Sequence, residues 1–166
     1  PAPLFIERSH FMSQEIHNKF APVVGPPVKE LLDKIGIQYG PCHIEMKVDG
    51  EKVALNEVAS RAGGLRDRLM KLAGYTDYNK IILDSFIKGE VDPNDLHAPS
   101  MYGLVNILTN VEDLHSVRLG KRDATLHSLY LYDKGPEYQP QNITDAYGYA
   151  YFTGDHSLFD YSLEYY

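Results

Sequence analysis

Residues 54–64 read ALNEVASRAGG, and residues 41–52 just upstream read PCHIEMKVDGEK. Both are strand-prone runs, and they meet at Asp49-Gly50, the strongest short hairpin signal in the chain. Alternation along the first strand sends His43, Glu45 and Lys47 one way and Cys42, Ile44, Met46 and Val48 the other. Along the second, Val53, Leu55, Glu57 and Ala59 share a face by the same rule. Loop length then decides whether the two carboxylates meet. A two-residue loop at Asp49-Gly50 pairs Glu45 with Ala54 and points the glutamates to opposite sides. A three-residue loop, Asp49 to Glu51, pairs Glu45 with Leu55 and His43 with Glu57, leaving the glutamates as diagonal neighbours about 7–8 Å apart. The three-residue loop is the expectation, because Gly50 can take the left-handed conformation it requires.

Outward from the hairpin, the segment GPPVKELLDKIG predicts a helix. Pro26 and Pro27 suit its first turn, Val28, Leu31, Leu32 and Ile35 share a face, and Gly36 is its stop. Residues 10–25 are ambiguous, and Pro1 to Ser9 reads as extended around Leu4, Phe5 and Ile6. After the glycine pair, LRDRLMKLAG predicts a short helix with Leu65, Leu69 and Leu72 inward. Thr76 is placed as the cap of a further helix over Asp77 to Lys88, ended by Gly89. From Met101 the chain turns strand-like in MYGLVNILT, TLHSLYLYD and AYGYAYFTG, and Asp155 is placed as the cap of a closing helix. This order gives an α+β fold, an antiparallel sheet with flanking helices, over residues 1–166 as a single domain.

Composition bounds the function. A chain of 166 residues with net charge -7 is large enough for one buried core, and its charge disfavours phosphate-backbone binding, so no nucleic-acid partner is expected. No apolar run approaches the roughly 20 residues that span a bilayer, so no membrane partner is expected either. A lone cysteine, Cys42, excludes an internal disulfide and fits a reducing, cytoplasmic setting. The seven histidines, His10, His17, His43, His97, His115, His127 and His156, are scattered without metal-hydrolase spacing. No G-x-S-x-G or GxxxxGK[ST] motif occurs. The chain begins with Pro1 rather than Met, which suggests a processed or excised piece of something longer.

Two carboxylates on one sheet face repel unless a cation lies between them. Magnesium takes one or two carboxylates, keeps waters, and shares the remaining oxygens with nucleotide phosphates. Arg61, just past the second strand, can grip a phosphoryl group or a carboxylate bidentately. Gly63 and Gly64 would let backbone amides approach an oxyanion beside a helix N-terminus.

The stretch GIQYGPCHIEMKVDGEKVALNEVASRAGG resembles the end of the ATP-binding region of ATP-grasp enzymes, closest in look to carboxylate–amine ligases of the L-amino-acid ligase type, and the resemblance covers roughly residues 26–90, with the strand-rich remainder consistent in layout. That family shows a strand carrying H-x-E, a hairpin, then E-x-N-x-R or E-x-[GA]-x-R followed by glycines. The matching residues are His43 and Glu45, then Glu57, Ala59 and Arg61, then Gly63 and Gly64. The resemblance implies a C-terminal fragment whose N-terminal domain and small nucleotide lobe are absent. It implies ATP and Mg2+ as cofactors, with Glu45 and Glu57 as metal ligands and Arg61 as the catalytic group on the transferred phosphate. Gly63 and Gly64 would lie beside the intermediate. The reaction implied activates a carboxylate as an acyl-phosphate and joins it to an amine, amino acids being candidate substrates. Ala59 stands where asparagine is commoner as a further metal ligand. His43 is expected to be structural or to support a metal ligand rather than to be catalytic, and Leu65 and Arg66 are placed on the substrate side. The competing reading is a non-catalytic binding or structural module that keeps the lobe. A homo-oligomer is compatible with the sequence, which leaves the substrates and the oligomeric state open.

Overall fold

The structure, a computed structural model, describes residues 7–110, 124–135 and 138–155. Its elements in chain order are β1 (Ser9–Met12), α1 (Gln14–Ile35), β2 (His43–Asp49), β3 (Lys52–Ala59), α2 (Arg66–Leu72), α3 (Tyr78–Ile87), β4 (Tyr102–Leu108), β5 (Thr125–Leu131) and β6 (Gly148–Gly154). Single 3-10 turns sit at Pro93–Asp95 and Ile143–Asp145. The expected apolar start at Leu4, Phe5 and Ile6 and the closing helix after Asp155 lie outside the described residues. The α+β class and the antiparallel pairing agree with the sequence.

The chain forms two compact units, Ser13–Ser100 and the pair of segments Pro1–Met12 and Met101–Tyr166. In the second of these the four strands run β1-β4-β6-β5, each neighbour antiparallel. The β-branched and aromatic residues of β4 and β6 are buried along nearly the whole strand, as central strands demand. Leu104, Leu108, Tyr147, Ala150 and Phe152 form the core cluster, with Phe11, Tyr102, Ala124 and Leu129 packed against it. Tyr130 and Tyr151 meet edge-on, as do Tyr132 and Tyr149, the geometry that aromatic quadrupoles favour.

The unit Ser13–Ser100 holds α1, α2, α3 and the β2–β3 hairpin. Helix α1 corrects the expected start at Pro26. It begins twelve residues earlier, at Gln14, where the Ser13 hydroxyl accepts from the Ile16 amide and caps it. Pro22, Pro26 and Pro27 all lie inside the helix. Pro22 and Pro26 fall on exposed positions, where carbonyls left without an intrahelical partner can be hydrated. Gly36 ends α1 as expected, at φ 75°, and the Ile37 amide reaches back to the Leu32 carbonyl at 3.1 Å. The cap of α3 is also corrected: Asp77 accepts from the Lys80 amide, while Thr76 is buried and bonds to the backbone of His97.

Candidate functional site

The hairpin turns tightly. Asp49 pairs with Lys52, leaving Gly50 and Glu51 as a two-residue loop, with Gly50 at φ 60°. A positive φ at the first loop position is what a II′ turn needs, and its twist suits the flanking strands. The expected three-residue loop, with Glu45 opposite Leu55 and His43 opposite Glu57, is therefore corrected. Met46 faces Leu55, the register then shifts, and Glu45 faces Glu57 directly. Asn56 is the extra residue of a β-bulge at that step. Directly opposed residues in an antiparallel pair stand on one face with Cβ atoms about 4.5–5.5 Å apart. The carboxylates share a face, but the bulge brings them there rather than the loop.

The bulge also repairs the apolar pattern. Val48 faces Val53, Met46 faces Leu55 and, beyond the bulge, Ile44 faces Val58. The ribbon thus has one apolar face, part of which, Ile44, Met46 and Val48, lines a cavity of about 450 Å3 with Phe20, Val24 and Val28 of α1. Its other face carries His43, Glu45 and Glu57. The placement of Glu57 with Val53 and Leu55 is overturned by the same step. The spacing of Val53, Leu55 and Val58 breaks the period of two at Asn56 and Glu57, and that break is the signal that reveals the bulge.

Glu45 is held at both oxygens. His43 Nε2 lies 3.0 Å from Oε1, and the Asn56 amide donates to Oε2 at 3.0 Å. The bond from His43, then that from Asn56, with the charge of Arg66 adding to them, holds the Glu45 carboxyl below the usual carboxylate range. Across the ribbon, Glu57 Oε1 lies 3.6 Å from Arg61 Nη2, four residues on, and the Arg61 guanidinium also donates to the Ala62 carbonyl at 3.0 Å. Exposure separates these groups: the His43 side chain is 10% exposed, Glu45 34%, Glu57 50% and Arg61 60%. The inner carboxylate is anchored and the outer one faces solvent beside a cation.

The two glycines differ. A Cβ on Gly63 would lie 2.7 Å from His43 Nδ1 and 2.6 Å from Arg66 Cδ, whereas one on Gly64 would meet nothing within 4 Å. Arg66 folds back to donate to the Gly64 carbonyl at 2.8 Å. The left-handed step after the pair falls on Leu65, at φ 61°, at a cost of about 1–2 kcal/mol for a residue with a side chain. Asn56 is the polar contact that the sequence reading missed, and Arg66 is tied to the glycine loop rather than standing apart.

The two carboxylates that would hold a cation, Glu45 and Glu57, offer oxygens, which suits a hard cation such as magnesium rather than zinc or copper. Among the described residues no group of three or more His, Cys, Asp or Glu is placed to hold a metal ion. A two-carboxylate site still fits magnesium, which completes its shell with water and phosphate oxygens. No helix among the described residues is long and apolar enough to cross a membrane.

No protein-family model matches the chain, and no curated protein matches it by sequence. Solved structures do resemble it. One is phosphoribosylglycinamide synthetase from Anaerococcus prevotii, with TM-score 0.66 and 13% identity over 96% of this chain and 43% of that one. Another is L-amino acid ligase from Bacillus licheniformis, with TM-score 0.66 and 15% identity over 98% of this chain and 43% of that one. The chain therefore spans less than half the length of either enzyme. Its fold is the one these ATP-grasp ligases share.

Proposed function

We propose that this chain is the C-terminal portion of a cytoplasmic ATP-grasp ligase that joins a carboxylate to an amine. In the proposed reaction a substrate carboxylate oxygen attacks the γ-phosphorus of ATP, the bond to ADP breaks, and an acyl-phosphate forms. An amine then attacks the acyl carbon, inorganic phosphate leaves, and the amine proton passes to solvent. Amino acids are the substrate class the fold neighbour suggests, since one of the two is an L-amino acid ligase.

Glu45 and Glu57 would hold Mg2+, which when bound neutralises the phosphate oxygens during transfer. Glu45 offers an ionised carboxylate fixed by two hydrogen bonds, so little ordering remains to be done on binding. Glu57 offers a solvent-facing carboxylate directly across the ribbon. Arg61, 3.6 Å from Glu57 Oε1, would turn from it toward a transferring phosphoryl group, where a planar guanidinium binds two oxygens at once. Gly63 and Gly64 would lie beside that group. Most of the rate enhancement would come from positioning and charge neutralisation.

The observation carrying this reading is the register that sets Glu45 opposite Glu57 with Arg61 beside the latter. Its test is calorimetry of Mg-ATP binding to the complete protein, wild type against Glu57→Gln. Removing one metal-binding charge is expected to weaken binding at least tenfold and abolish turnover. Equal binding by the two proteins would favour a non-catalytic module.

A further inference from the structure

The Glu45 carboxylate is connected to the glycine loop through one imidazole. A carboxylate in its ordinary ionised form only accepts hydrogen bonds, so His43 Nε2, 3.0 Å away, is the donor. The far edge of the same ring, Nδ1, stands where a side chain on Gly63 would begin, 2.7 Å from that Cβ position; the other neighbour there, Arg66 Cδ at 2.6 Å, belongs to a flexible side chain that can swing clear. The ring is almost fully covered, at 10% exposed, so it has little room to step aside. The third member is Asn56, which reaches the other Glu45 oxygen because the bulge turns its side chain onto that face.

We propose that Gly63, His43 and Asn56 act together as positioning residues that fix the Glu45 carboxylate for a divalent cation, Gly63 acting through the His43 ring. The inference rests on the ligase reading for the identity of the cation. It assigns Gly63 a role set by steric room against the imidazole, distinct from close approach of its amide to a phosphate. Gly64, with open space at its Cβ position, does not share that role. The arrangement resembles the outer partners of metal ligands generally, whose loss typically lowers metal affinity about 10–100-fold.

The test is a double-mutant cycle on the 166-residue chain with Mn2+ as the probe, read by water-proton relaxation, with the Glu45 13Cδ resonance followed by NMR. His43→Ala and Gly63→Ala are each expected to weaken Mn2+ binding about tenfold. The double variant should bind no more weakly than His43→Ala alone, because the ring through which Gly63 acts is already gone. Gly63→Ala should also shift the Glu45 resonance, and Gly135→Ala, whose Cβ would meet open space, should change neither reading. Wild-type affinity in Gly63→Ala, or additive losses in the double variant, overturns the proposal while leaving the cation site standing. A wild-type chain that binds no Mn2+ at Glu45 and Glu57 overturns the ligase reading and the cation role with it. Should Gly63→Ala fail to fold, Asn56→Leu gives the same decision: it must weaken Mn2+ binding and shift the Glu45 resonance.

Discussion

Thr76 ties the segment before α3 to the loop before β4 with one hydroxyl. Its Oγ1 accepts from the His97 amide at 2.6 Å and donates to the His97 carbonyl at 3.3 Å, and the residue is buried. Valine has the same shape but satisfies neither group. Thr76→Val is therefore expected to lose about 1–3 kcal/mol, the cost of leaving buried polar groups without partners. Thr76→Ser, which keeps the oxygen, should lose clearly less, and urea midpoints compared at equal m-value would decide it. The sequence could not assign this role. Thr76 and Asp77 are both good helix caps by residue type, and only the packing of the His97 loop determines that the aspartate caps α3 while the threonine turns inward.

In the β2–β3 ribbon one residue stands outside the regular pairing. Asn56 is the extra member of the bulge, so deleting it makes the ladder regular from Asp49–Lys52 onward, keeps Glu57 opposite Glu45, and removes only the Asn56 bond to Glu45. The deletion is expected to weaken Mn2+ binding about tenfold, as loss of an outer partner of a metal ligand does, while Glu57→Gln abolishes it and far-UV circular dichroism keeps its helical signal in both. Mn2+ binding lost as completely in the deletion as in Glu57→Gln would show that the facing of Glu45 and Glu57 is not what holds the cation. The existence of both strands, the apolar side of the first and the nearness of Glu45, Glu57 and Arg61 were legible in the residues, because alternation and turn chemistry are local. The loop length was not. Gly50 suits either a three-residue loop or the II′-type loop observed, and the choice rests on which register keeps Ile44, Met46, Val48, Val53, Leu55 and Val58 on one face. Helix α1 was hidden in a similar way: three prolines argue locally against a helix that the Ser13 cap begins and Gly36 ends.

At the scale of the molecule, two facts constrain what this chain can do with a nucleotide. It carries a net charge of -7, so an anionic ligand is repelled unless a divalent cation mediates. It also spans 43% of the length of each ligase it resembles, so on the ligase reading it presents only part of a closed site. Two solvent-facing or half-exposed carboxylates and one exposed guanidinium offer a few screened contacts, which must offset the freedom lost on association. The expected dissociation constant of Mg-ATP for this chain alone is therefore on the order of 1 mM, about -4 kcal/mol. 31P NMR titration should find that binding abolished by chelating the metal and weakened by raising salt to about 0.5 M, where the screening length falls to a few ångströms. No ATP turnover should accompany it, since water is not excluded from a site open on one side. A micromolar constant that survives chelation would mean that the chain holds nucleotide by groups other than the acidic ribbon, and the cation would then lose its place as the link between them.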